Sequence, residues 1–349
     1  MAAREPVLAS GRAVAMMRDV SGMSEAIRIR DLRKVFRRPA RRRTSASDAG
    51  TSRDILAVDG IDLTVGSGEF FGLLGPNGAG KSTTLGILTT RVLPTSGEAL
   101  VAGADVVREA VAVRQRIGVV PQRPNPDRAL TSIENLVFHA AYFGYPMAEA
   151  TRRARALLER FGIADKADAK PDALSGGQQQ RLMIARALIH EPEIVFLDEP
   201  TVGLDPNARR ELWATLRELH TQGRTLVMTT HYMEEADALC GRVAIVDRGR
   251  LLAVDTPSAL KARAPDGTLI ELTLDADAGP AAAAALRVEG VARAESQGTV
   301  LQAFGARGGE LIPPLIRATE SVGRKVLNIR LTSPSLESLF VAMTGRNLG

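Results

Sequence analysis

Apolar and polar positions alternate at Ile27-Arg28-Ile29-Arg30, the period of two that sends successive side chains to opposite faces of a strand, and a second short strand is predicted near Leu32 to Phe36. Alternation returns from Ile55 to Val65. Phe70-Phe71-Gly72-Leu73-Leu74 is apolar throughout, as in a strand covered on both faces, and runs into a glycine-rich stretch ending at Lys81. A helical period follows from Ser82 to Thr89. Further strands are predicted at Ile117 to Val120, Ile194 to Leu197, Leu226 to Thr230 and Val243 to Val246. Helical patterns separate them at Met147 to Phe161, Gly177 to His190, Ala208 to Gln222 and Met233 to Leu239. Strands alternating with helices predict an α/β fold with a mainly parallel sheet covered on both faces. Residues 123–180 interrupt the alternation with mostly helical sequence and are predicted to form an inserted helical subdomain.

The texture changes after Pro257. A short helix, Ser258 to Ala262, leads into the turn-forming run Ala264-Pro265-Asp266-Gly267, which marks a domain boundary. Beyond it come a strand (Thr268 to Leu274), a helix (Pro280 to Arg287) and two strands (Val291 to Glu295, Thr299 to Phe304). A helix (Gly309 to Val322), a strand (Lys325 to Leu331) and a last helix (Ser335 to Thr344) complete the order. That β-α-β-β-α-β order predicts a small ferredoxin-like α+β domain over 268–349. The larger domain spans 25–262, after an extension, 1–24, that has no sustained period and is expected to be disordered. Within it, 37–53 is polar and basic and reads as an exposed insertion.

Composition narrows the class. With 45% hydrophobic residues among 349, the chain can bury a sizeable core. Its apolar runs are no longer than a strand, as at Ile194 to Leu197, far short of the roughly 18–20 residues a spanning helix needs. The N-terminus has no compact apolar run or cleavage site, so a cytosolic chain is expected. The single cysteine, Cys240, cannot form an internal disulfide and sits in a helical pattern as a small buried residue. The net charge of +5 owes much to Arg37, Arg38, Arg41, Arg42 and Arg43, a run read as a solvated loop, so charge decides no partner.

Chemistry enters at Gly75-Pro76-Asn77-Gly78-Ala79-Gly80-Lys81-Ser82, followed by Thr83, which fits the phosphate-loop pattern at every fixed position. Glycines let the backbone curl so that several N–H groups face one phosphate, and the following helix adds its positive end. Lys81 is expected to reach the β- and γ-phosphates and Ser82 to place its hydroxyl on Mg²⁺. A second element, Ile194-Val195-Phe196-Leu197-Asp198-Glu199, reads as a buried strand ending in two carboxylates. Such a pair alone is a common strand-ending turn; beside a phosphate loop, Asp198 is the expected Mg²⁺ holder and Glu199 the expected general base for an attacking water.

Leu174-Ser175-Gly176-Gly177-Gln178 resembles the signature motif of ABC ATPases. Phosphate loop, Gln122, signature, Asp198-Glu199, Gly203-Leu204-Asp205-Pro206 and His231 also follow in that family's order over roughly 26–255. The resemblance implies two ATP molecules held between two ATPase domains, each bound by one chain's phosphate loop and the other's Ser175 and Gly177. It implies a homodimer, or a heterodimer with a related ATPase, serving a separate transmembrane permease at the cytoplasmic face of the membrane. On the same resemblance Gln122 contacts Mg²⁺ and senses the permease, His231 bonds the γ-phosphate, and Asp205 shapes the dimer interface. Phe36 is placed to stack on adenine, with a plain core aromatic as the alternative.

His231-Tyr232-Met233-Glu234-Glu235-Ala236 is similar to ATPases serving bacterial two-component exporters, and Ser335 to Arg346 resembles the end of the daunorubicin-resistance type. By periodicity alone that last segment predicts an amphipathic helix docking on a sheet. Export of drugs, antibiotics or lipid-like compounds is therefore the implied function. An importer ATPase, or a soluble ABC ATPase acting on nucleic acid or ribosomes, stands as the alternative. Nucleic acid is not an expected partner, since the chain has one cassette and no zinc motif.

Overall fold

The computed structural model describes residues 24–37, 54–264, 267–306 and 308–344. The N-terminal extension to residue 23, the basic insertion from 38 to 53, Pro265-Asp266 of the boundary turn and the last residues, 345–349, lie outside the described residues.

The two short strands predicted before Phe36 are one, β1 (Glu25–Phe36). The break after Arg30 is a bulge: the register with β2 (Ile55–Gly66) shifts between Ile29 and Leu32, and Asp31 takes φ 41°. β1 also pairs with β4 (Ser96–Val101), and β5 (Ala104–Asp105) extends an antiparallel sheet ordered β2-β1-β4-β5.

The main sheet takes β3 (Phe70–Leu74), β6 (Ile117–Val120), β7 (Ile194–Asp198), β8 (Thr225–Thr230), β9 (Arg242–Asp247) and β10 (Arg250–Asp255) in the order β10-β9-β3-β8-β7-β6. Neighbours from β9 to β6 run parallel; the edge strand β10 is antiparallel. Period-two alternation divides the core in two. Phe71, Leu73 and Phe196 face the side that holds Leu85 and Ile87, whereas Phe70, Leu74, Val195 and Leu197 face the side that holds Leu182, Leu212 and Leu216. These last residues belong to α1 (Lys81–Leu88), α5 (Gly176–Leu188) and α6 (Pro206–Thr221). Register sets Leu74 beside Thr230 and Asp198 beside Thr229, so the carboxyl ends of β3, β7 and β8 meet along one edge. Ligands bind at that edge in parallel sheets.

α2 (Ala110–Arg116) leads into β6, and between β6 and β7 the chain forms α3 (Ser132–Tyr142) and α4 (Met147–Arg160) before α5. α3 starts at a capping box in which Thr131 and Glu134 satisfy each other's backbone N–H groups. After α7 (Met233–Leu239) and α8 (Pro257–Ala262) comes a second antiparallel sheet. Its strands are β11 (Thr268–Leu274), β12 (Val291–Gln297), β13 (Val300–Gly305) and β14 (Val326–Thr332), ordered β12-β13-β11-β14. α9 (Gly279–Ala285) and α10 (Ile312–Ser321) cover one face through Ala281, Ala285 and Leu315. The last helix, α11 (Leu336–Thr344), departs from the docking expected on a sheet. It packs against α7 and α8, and Leu336, Leu339 and Phe340 enter the core of the larger unit with Leu239 and Leu260.

Candidate functional site

The glycine-rich loop occupies the edge where β3 ends. Gly80 caps α1 at φ 102°, and a Cβ there would stand 2.3 Å from the Ala57 carbonyl, so only glycine fits. Gly78, at φ 80°, faces open space, which leaves its backbone free to approach a ligand. The Lys81 side chain is buried and folds back over the loop, donating to the carbonyls of Gly75 (2.7 Å) and Pro76 (3.1 Å). Burial lowers the Lys81 pKa, and Glu199, with Oε1 at 3.4 Å, acts in the opposite direction.

β7 delivers the two carboxylates. Asp198 Oδ1 accepts from Ser82 Oγ at 3.0 Å and from Thr229 Oγ1 at 2.6 Å. Glu199 sits at φ 48°, a left-handed backbone uncommon for a residue with a side chain. Its N–H holds that turn by donating to the carbonyl (3.1 Å) and hydroxyl (3.0 Å) of Thr229. Glu199 Oε2 accepts from Gln122 Nε2 at 3.0 Å, and His231 Nδ1 stands 3.4 Å away with no hydrogen-bond partner among the described residues. One carboxylate thus meets a lysine, an amide and an imidazole.

Gly78, Gly80, Lys81, Ser82, Gln122, Glu199 and His231 share a cleft of about 750 Å³ with Asn77, Ala79 and Thr83, and with Phe36, Val202 and Tyr232 on its walls; Asp198 is buried behind Ser82. Phe36 is 40% exposed at the cleft, with Lys34 Nζ over its ring, and is not a core aromatic. The donor set fits a phosphate chain with Mg²⁺: Ser82 and Asp198 offer hard oxygen donors beside glycine N–H groups. Among the described residues no three His, Cys, Asp or Glu side chains converge to hold a metal, so such an ion needs phosphate oxygens to complete its shell.

The signature residues are not in this cleft. Ser175 caps α5, which begins at Gly176, one residue earlier than the sequence pattern placed it. Its hydroxyl accepts from Gln178 N at 3.3 Å while Gln178 Oε1 accepts from Ser175 N at 3.0 Å. Gly177 lies against α6, where a Cβ would meet that of Ala208 at 3.3 Å. Asp205 caps α6 by accepting from the N–H groups of Asn207 and Ala208 at 2.9 Å, which holds its carboxyl below the usual range. Thr229 carries no role in the sequence reading, yet it touches both acidic residues; its signal was a threonine in the strand position that pairs with Asp198.

The sequence profile of the ABC transporter family matches residues 58–202. Nod factor export ATP-binding protein I of Rhizobium sp. (strain N33) is 40% identical over 295 residues, 84% of this chain and 94% of that protein. Daunorubicin resistance ATP-binding protein DrrA3 of Streptomyces coeruleorubidus is 40% identical, over 84% and 92%. Linearmycin resistance ATP-binding protein LnrL of Bacillus subtilis (strain 168) is 36% identical, over 83% and 94%. Among solved structures, a dimeric ATP-binding cassette in a post-hydrolysis state with ADP and Pi superposes with a TM-score of 0.58 at 28% identity, covering 66% of this chain and 98% of that one. With the nucleotide-binding loop, the acidic strand end and this likeness together, the chain belongs to the ABC transporter ATP-binding proteins: it has the ABC ATPase cassette fold and hydrolyses ATP.

Proposed function

We propose that this ATPase powers an exporter of drugs, antibiotics or lipid-like compounds through a separate transmembrane permease at the cytoplasmic face of the membrane. No helix among the described residues is long and apolar enough to cross a membrane, so the passage itself falls to another chain. The export direction rests on relatives named for Nod factor export and for daunorubicin and linearmycin resistance, matched over nearly their whole length.

The observation that carries the catalytic reading is the Glu199 carboxylate, held at a strained strand end within reach of Lys81, Gln122 and His231. In this reading Lys81 leaves its loop carbonyls for the β- and γ-phosphates, and Ser82, Asp198 and Gln122 would hold Mg²⁺. The bound ion would neutralise charge on the phosphate oxygens. Glu199 accepts a proton from the attacking water, and His231 donates toward the γ-phosphate. Phe36 supports adenine by stacking. Ser175, Gly176, Gly177 and Gln178 act on the nucleotide of a second copy, because none of them reaches the cleft of its own chain. ATP then closes a homodimer, Asp205 shapes its interface, and hydrolysis reopens it.

By the same reading, 25–262 is the ATPase domain, its antiparallel sheet and the helices of 123–180 are subdomains, and 268–349 is a ferredoxin-like accessory domain supporting dimer or permease contacts. A tagged pull-down from detergent-solubilised membranes of the native host, with and without ATP, tests the assignment. A polytopic membrane protein recovered in stoichiometric amount is expected, and export of its substrate should stop when Glu199 is replaced by Gln. Recovery of soluble protein or nucleic acid alone, with none of this chain in the membrane fraction, would overturn it.

A further inference from the structure

Four residues after His231 in the chain comes a carboxylate that the reaction does not touch. Glu235, on the first turn of α7, has no solvent exposure. Its Oε2 accepts from Thr230 Oγ1 at 2.6 Å and its Oε1 from Trp213 Nε1 at 3.3 Å. The Thr230 hydroxyl in turn accepts from the N–H of Tyr232 at 2.9 Å. The bonds therefore bracket His231, gripping the residue before it by its side chain and the residue after it by its backbone. Tyr232 is held from its other side, its ring 4.1 Å from that of His231 and 4.8 Å from the Arg209 guanidinium. Arg209 and Trp213 both belong to α6, the helix that Asp205 caps.

We propose that Glu235 is a positioning residue for hydrolysis: through Thr230 and Tyr232 it fixes where the His231 imidazole stands against Glu199, and through Trp213 it ties that position to α6. The proposal rests on the reading that His231 serves the reaction. A buried carboxylate is expensive unless its acceptors are filled, so this one constrains the segment more tightly than an apolar side chain of equal size. Burial also raises its pKa, against the pull of its hydrogen bonds and of Arg209.

The test uses Glu235→Gln, which keeps an acceptor, and Glu235→Leu, which removes both, each made alone and in a His231→Ala background. Trp213 is the only tryptophan in the chain, so its emission reports directly on whether the Glu235 contact has changed. In Glu235→Leu we expect a shifted Trp213 emission and a kcat lowered about tenfold to a hundredfold, the scale of a catalytic group misplaced by about 1 Å, with KM for ATP little changed. Glu235→Gln should recover part of that loss. In the His231→Ala background neither change should lower kcat further. Two results overturn the inference alone: wild-type kcat despite a shifted emission while His231→Ala is impaired, or additive losses in the double variants. Wild-type turnover in His231→Ala would instead remove the reading beneath it, and the inference with it.

Discussion

A hydroxyl can set two carboxylates at once when it donates to one and accepts from the backbone of the other, and Thr229 does so. It donates to Asp198 Oδ1 and accepts from Glu199 N, so Thr229→Val removes both bonds while keeping the side chain's shape. Losing partners for buried polar groups costs about 1–3 kcal/mol, and we expect a lower melting temperature together with weaker Mg²⁺-dependent ATP binding. An unchanged nucleotide affinity would show that Asp198 keeps its position without this contact. Glu199→Gln asks a different question, because the amide preserves size and most contacts but takes no proton. Turnover should fall roughly 100- to 10,000-fold, the contribution of a positioned general base, while equilibrium ATP binding persists. Normal turnover would release Glu199 from that role. The phosphate loop and the acidic pair were legible in the sequence because each is a local pattern with fixed spacing. Thr229 and Glu235 were not: their meaning depends on strand register and on a helix packing across the sheet, neither of which a linear pattern carries. Glu235 in particular reads as an ordinary acidic first-turn residue until α6 is seen against it.

At the scale of elements, α3 and the end of α5 meet through rings. Phe143 stacks on His190 at 3.8 Å, His139 lies edge-on to both, and His190 Nε2 contacts the Ile117 carbonyl at 2.9 Å. Burial, with Arg186 and the other histidine adding repulsion, brings the His139 pKa down from 6.5 to about 3, and burial lowers that of His190. The folded state therefore binds fewer protons than the unfolded chain below pH 6.5, so stability present above that value is lost as pH falls toward 3. Urea unfolding across this range should show the decline, and His139→Leu should flatten it; an unaltered slope would place the acid sensitivity elsewhere. α11 makes the second element-level prediction. Phe340 is 1% exposed among core residues of the larger unit, and Phe340→Ala should cost about 3–5 kcal/mol, lowering the melting transition of the ATPase cassette itself. A loss confined to a separate transition would mean that α11 stabilises only the smaller sheet. The parallel strands were legible as short apolar runs. β4 and β5 were not, since Gly97, Gly103 and half-exposed positions blur the alternation, and the docking of α11 depends on contacts about a hundred residues away in sequence.

The whole molecule poses the question of completeness. Each chain lines one cleft with a phosphate loop, the Glu199 carboxylate and a histidine, with Asp198 bonded to Ser82 at its floor, and carries its signature segment outside it. Ser175 spends its hydroxyl on its own helix cap, with Gln178 closing the box, and this α5 N-terminus does not line the nucleotide cleft of the same chain. Such a helix end attracts anions, and a second chain is the source the proposed dimer provides. If the site is composite, two broken chains should complement each other. A Lys81→Ala chain lacks the phosphate grip but keeps its signature; a Ser175→Arg chain keeps the grip and blocks the signature. Each alone should be inactive as a homodimer. Mixed, they form dimers in which one of the two sites combines an intact loop with an intact signature, so ATPase activity should reappear and depend on total protein concentration as dimerisation does. Activity that stays absent in the mixture, although mixed dimers form with ATP, would mean that both sites must be whole for either to turn over. A Ser175→Arg chain active without any partner would mean that one chain completes its own site, and the sandwich of two copies would have to be abandoned.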